Sequence, residues 1–124
     1  MLISRRVLPT LLALTTTLAF SSAALAHAHL KHQFPAADAA VSESPKALTL
    51  SFSEGVEQNF SKVMLTGPNN QLVATGKPTR SGSDDKQLEV PIEAPLKAGH
   101  YQVQWQVVSV DGHKTKGSWA FSVK

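Results

Sequence analysis

The sequence predicts an all-β fold: a seven-stranded antiparallel β-sandwich of immunoglobulin-like kind. Three observations carry this. Apolar and polar residues alternate with period two through most of the chain after residue 26, and no segment there shows a helical stripe. Clusters of Gly, Pro, Asn and Ser cut the alternation into short runs, as the turns of a sandwich do.

The first 26 residues stand apart. A basic head (Arg5-Arg6), an apolar run from Val7 to Phe20 and an A-x-A ending (Ala24-Leu25-Ala26) are the three parts of a secretory signal peptide. The run is too short to span a bilayer, which needs about 20 apolar residues. Cleavage after Ala26 is therefore expected, by the general or the twin-arginine route, leaving one domain over residues 27–124. That cut removes two of the twelve Lys and Arg and none of the nine Asp and Glu. The remainder is nearly neutral, which argues against a nucleic-acid partner. With no cysteine, the exported domain must fold on its core alone, and a thiol nucleophile or a blue-copper site is excluded. The expected home is the periplasm of a Gram-negative bacterium, as a soluble monomer.

Seven strands follow in order. "HAHLKHQF" (27–34) reads as an edge strand, with His32 on the phase of Ala28, Leu30 and Phe34 and so partly packed. "LTLSFS" (48–53) turns Leu48, Leu50 and Phe52 to one face. "KVMLTG" (62–67) and "QLVATG" (71–76) form a hairpin around Gly67-Pro68-Asn69-Asn70. The stretch 76–87 reads as a polar loop. "KQLEVPI" (86–92) alternates Leu88, Val90 and Ile92, and Pro91 marks an edge or a strand end. "YQVQWQVVSV" (101–110) points Tyr101, Val103, Trp105 and Val107 inward and three glutamines outward, and Tyr101 after the Ala98-Gly99 turn resembles a tyrosine corner. "SWAFSV" (118–123) closes the domain. If every strand reverses direction, the new N-terminus and the 109–117 link lie at the same end.

That end carries chemistry. Once exposed, His27 offers both an α-amine and an imidazole, and the link offers Asp111 and His113, whose i, i+2 spacing points both to one side of an extended segment. Amine, two imidazoles and a carboxylate make an N3O set that suits Cu(II). Two His and an Asp also serve Zn(II). His29, third from the cut, is either a group that orients the site or part of a rival planar clamp built from amine, amides and ring. His100 lies on the glutamine-lined outer face, Glu54 and Glu57 read as exposed loop charges, and Lys114 and Lys116 as solubilising charges beside the tip.

The start "HAHL", the segment "FSEGVE" and the segment "LKAGHYQVQWQVVSVDGHKTKG" together resemble the copper-resistance protein C (CopC) family, in particular its YobA-like branch. The resemblance implies a seven-stranded Greek-key sandwich in the periplasm. It also implies Cu(II) held by His27, Asp111 and His113, a role in copper homeostasis and resistance, and an inner-membrane copper-uptake protein (CopD-like) as partner. Founding members add a methionine-rich stretch for Cu(I); beyond the signal segment this chain has Met64 alone, and one thioether cannot build such a site. The expected function is sequestering or delivering Cu(II) without catalysis. The alternatives are a copper-dependent polysaccharide monooxygenase and an immunoglobulin-like interaction module with no metal.

Overall fold

The computed structural model describes residues 27–124; the expected signal peptide and cleavage after Ala26 fall on residues outside those described. Nine strands run in chain order: β1 (Leu30–Phe34), β2 (Ala40–Val41), β3 (Ala47–Phe52), β4 (Lys62–Thr66), β5 (Leu72–Val73), β6 (Thr79–Ser81), β7 (Asp84–Pro91), β8 (Gly99–Val108) and β9 (Lys114–Val123). They form a four-stranded sheet, β1-β3-β7-β6, and a five-stranded sheet, β2-β9-β8-β4-β5, the crossed order of a Greek-key sandwich.

The alternation read in the sequence builds the layer between the sheets. Leu48, Leu50 and Phe52 of β3 and Leu88 and Val90 of β7 are buried against Tyr101, Val103, Trp105 and Val107 of β8 and Trp119, Phe121 and Val123 of β9. The intervening glutamines of β8 are exposed. Burying each large apolar side chain contributes about 1.5–3 kcal/mol. A part-exposed ion pair such as Arg80–Glu57, at 3.4 Å, adds about 0–1 kcal/mol, so the apolar layer decides stability. The tyrosine corner is present: the Tyr101 hydroxyl donates to the Lys97 carbonyl at 2.6 Å. Trp119 Nε1 donates to the Pro35 carbonyl at 2.9 Å, tying the chain after β1 to β9.

The structure differs from the expected pattern in four places. β2 pairs parallel to β9, so the sandwich is not wholly antiparallel; two residues too short to show a period supply this pair. The polar stretch 76–87 contains β6 and the start of β7, joined around Gly82 at φ 60°. Its side chains are mostly exposed, so apolar alternation could not reveal it. In β1 the register shifts between Leu30 and His32, leaving Lys31 as an extra residue. His32 and Phe34 are thereby turned outward and exposed instead of packed. Glu54 and Glu57, read as exposed loop charges, are both half-buried, and Glu57 pairs with Arg80, whose Nε also donates to the Val56 carbonyl at 2.8 Å. Pro91 is the last residue of β7, as a strand-ending proline should be.

Gly117 faces Trp105 across the β8–β9 ladder, and a Cβ there would lie 2.5 Å from Trp105 Cζ2. Gly117→Ala is therefore expected to lower unfolding free energy by about 1–3 kcal/mol in urea titration, the usual cost of overpacking. Tyr101→Phe is expected to lower it by about 1 kcal/mol in the same assay, through loss of the corner hydrogen bond.

Candidate metal centre

The β8–β9 hairpin puts the D-x-H pair at its tip. Asp111 and Gly112 make the turn; Gly112 has φ 90°, a conformation that favours glycine. Ser109, on the inward phase of β8 and 1% exposed, organises the turn from beneath. Its N–H donates to the His113 carbonyl and its carbonyl accepts from the Gly112 N–H, both at 2.8 Å. Its hydroxyl donates to Asp111 Oδ1, which also receives the His113 N–H at 3.3 Å. Asp111 Oδ2 lies 3.0 Å from His113 Nδ1. A carboxylate accepts only, so this contact places the proton on Nδ1 and leaves the Nε2 lone pair for a ligand.

These bonds favour the ionised carboxylate. Chiefly through the Ser109 hydroxyl, and then through His113, the Asp111 pKa falls from its ordinary 3.8 to about 2. The tip thus carries a fixed negative charge throughout the physiological range. Three of the roughly four acceptor positions of the carboxylate are used within the turn, which leaves about one for an ion.

The N-terminal segment arrives at this tip. The His27 and His113 rings stack with centroids 4.6 Å apart and an interplanar angle of 23°. The same end gathers the link after β3: Val56 bridges Ser109, the Val110 N–H donates to the Gly55 carbonyl at 2.9 Å, and the Glu57 N–H donates to the Val108 carbonyl at 2.8 Å. Strand parity therefore held: β1 and β3, β3 and β7, β4 and β5, β4 and β8, and β8 and β9 all pair antiparallel, so the seven strands read in the sequence keep their alternation.

The donor set fits a nitrogen- and oxygen-preferring ion such as copper or zinc. Two imidazole nitrogens each about 2 Å from one ion are at most about 4 Å apart, comparable with the 4.6 Å between the two ring centroids. Nearly parallel rings aim their in-plane lone pairs past each other. Accordingly, among the described residues no group of three His, Asp or Glu side chains is already closed around an ion position. The other histidines lie elsewhere: His32 on the outside of β1, and His100 on the outer face of β8 with Nδ1 2.8 Å from Ser122 Oγ. His29 sits beside the site, its N–H donating to Ser53 Oγ at 2.9 Å.

Comparison with known proteins bears on this geometry. The CopC domain model matches residues 30–124. The chain belongs to the CopC family. It is similar to protein YobA of Escherichia coli K12, 54% identical over 113 residues that cover 91% of each chain. In structure it resembles CopC of Methylosinus trichosporium OB3b, with a TM-score of 0.74, 30% identity, and coverage of 79% of this chain and 94% of that one. It also resembles PcoC of Escherichia coli, described as a methionine-rich copper resistance protein, with a TM-score of 0.70, 38% identity, and coverage of 80% and 100%. This CopC-family chain has two methionines in all, Met1 and Met64, and Met64 is exposed on β4, away from the tip. The family match starts after His27, so the place of His27 rests on the ring contact itself.

Ser109, Ser53 and Thr115 were not singled out in the sequence. Ser109 and Thr115 fall on the inward phases of β8 and β9, and a hydroxyl on an apolar phase was the available signal. Ser53 itself falls on the outward phase, after the buried Phe52, and gave none.

Ser109→Ala is expected to raise the Asp111 pKa from about 2 toward 3.8, read by carboxyl NMR titration. Because the folded pKa is depressed, the stabilisation is complete above about pH 4 and lost as pH falls through about 2. Acid unfolding of the wild-type tip should therefore steepen in that window, and the variant should flatten it.

Proposed function

We propose that this chain is a periplasmic Cu(II)-binding protein, exported and cleaved after Ala26, that sequesters copper or passes it to an inner-membrane uptake protein of the CopD type. The observation that carries the reading is the stack of His27 on His113. Membership of the CopC family and similarity to a copper resistance protein support copper as the cargo.

In this mechanism cleavage frees the His27 amine, which joins the His27 ring as a chelate. His113 Nε2 supplies the second imidazole, its ring oriented by Asp111 at Nδ1. Asp111 adds negative charge and its remaining acceptor position. Capture requires one histidine ring to leave the stack and the amine to lose its proton, so affinity falls with pH. An unperturbed α-amine titrates near pH 8, well above the range in which Asp111 takes up a proton. The pH dependence of binding near neutrality therefore belongs to nitrogen ligands. Trp105 and Trp119 are both packed inside, so neither can lie flat against a sugar as the polysaccharide-oxidising alternative asks.

The test is a Cu(II) titration followed by electron paramagnetic resonance (EPR), on protein beginning at His27 and on protein with one extra residue before it. The extended form is expected to lose more than the roughly 10–100-fold in affinity that an outer partner of a metal site costs. His113→Ala should lose nitrogen coupling from the spectrum. Equal affinity and spectra in the two N-terminal forms would end the proposal.

A further inference from the structure

The processed N-terminus reads His27-Ala28-His29, and a free tripeptide of this kind has a copper mode that needs no fold. Its amine, the backbone nitrogens of Ala28 and His29 and the His29 ring can surround Cu(II) in one plane, the tetragonal arrangement that nitrogen donors give this ion. The site at the hairpin tip uses the same amine, so the two modes exclude each other. In an unfolded chain the local mode is favoured, because recruiting Asp111 and His113 first requires closure of a long loop. The fold must supply the bias toward the tip.

Four hydrogen bonds are placed to do so. The His29 N–H, whose nitrogen the planar mode needs, donates to Ser53 Oγ at 2.9 Å. The Ser53 N–H donates to the His29 carbonyl at 2.8 Å, and the Ser53 hydroxyl reaches back to the His27 carbonyl at 3.4 Å. From the other side, the Thr115 hydroxyl donates to the Ala28 carbonyl at 2.9 Å. Ser53 directly follows β3 of one sheet and Thr115 lies in β9 of the other, so the tripeptide is gripped from both layers. Ala28 itself is 1% exposed and packs in the core. Wrapping the tripeptide around an ion would break the Ser53 and Thr115 bonds and pull Ala28 out of the apolar layer. Meanwhile the same grip leaves the His27 ring against His113.

We infer that Ser53 and Thr115 select the copper-binding mode: they withhold the Ala28 and His29 nitrogens from the planar peptide clamp and present His27 to the tip. This rests on the site proposed above. Both are positioning residues; neither is assigned as a ligand.

The test compares Cu(II) EPR spectra and competition affinities of the chain beginning at His27 with those of a synthetic peptide of residues 27–34, which defines the planar mode. Wild type should differ from the peptide and respond to His113→Ala. Ser53→Ala combined with Thr115→Val should bring in the peptide-type spectrum and weaken the tip mode about tenfold, the loss of roughly one buried hydrogen bond's worth of positioning. Thr115→Ser keeps the hydroxyl and should behave as wild type. Adding His29→Ala to the double variant should abolish the peptide-type species, while His29→Ala alone should leave the wild-type spectrum unchanged. Far-UV circular dichroism checks folding, and each single variant is measured too, so a misfolded double variant still leaves two decisive samples. A folded double variant with wild-type spectrum and affinity overturns the selector role and leaves the tip site standing. A wild-type spectrum that already matches the peptide overturns both.

Discussion

The pairing of β8 with β9 is the constraint on which everything else rests. It runs without a shift from Gly99 opposite Val123 to Val108 opposite Lys114. A slip of β9 by one residue against β8 would turn Trp119 and Phe121 out of the core, so the apolar layer holds the register firmly. A register held there is also held at the tip, where Ser109, Asp111 and His113 are placed by the same two strands. The site therefore takes its precision from the most buried part of the molecule, although Asp111 and His113 are exposed.

The same coupling explains how much could be read without coordinates. Wherever one face of a strand is buried and the other wet, composition reports it, and Leu48, Leu50, Phe52, Val103, Trp105 and Phe121 all lie where their alternation put them. Elements that depend on backbone alone left no such trace. β2 is only two residues long and β6 is three polar ones, and the extra residue at Lys31 changes the phase of β1 without changing its composition, which is why His32 and Phe34 faced the other way. At the candidate metal centre the unusual residue types, His27, Asp111 and His113, stood out. The hydroxyls that organise them did not, because serine and threonine are ordinary in β-strands and only their partners give them meaning.

The tip combines a fixed charge with a movable ring. Asp111 is held ionised by a buried serine and by the main chain of its own turn, so its state hardly changes across physiological pH. The imidazoles are half-exposed and stacked, an arrangement that favours their contact without committing either lone pair. Division of labour of this kind separates attraction for a cation from the motion that closes on it. Freeing a ring from the stack would take a side-chain rotation, which at exposed positions ordinarily needs picoseconds to nanoseconds.

The extra residue in β1 has a further bearing. β1 is an outer strand of its sheet, and a flat outer strand invites a second molecule to add to it through the main chain. A bulge with a lysine at its centre spoils that template by twisting the ladder and placing a charge on it. The strand whose N-terminal side leads to the hairpin tip is thereby a poor template for a neighbouring molecule.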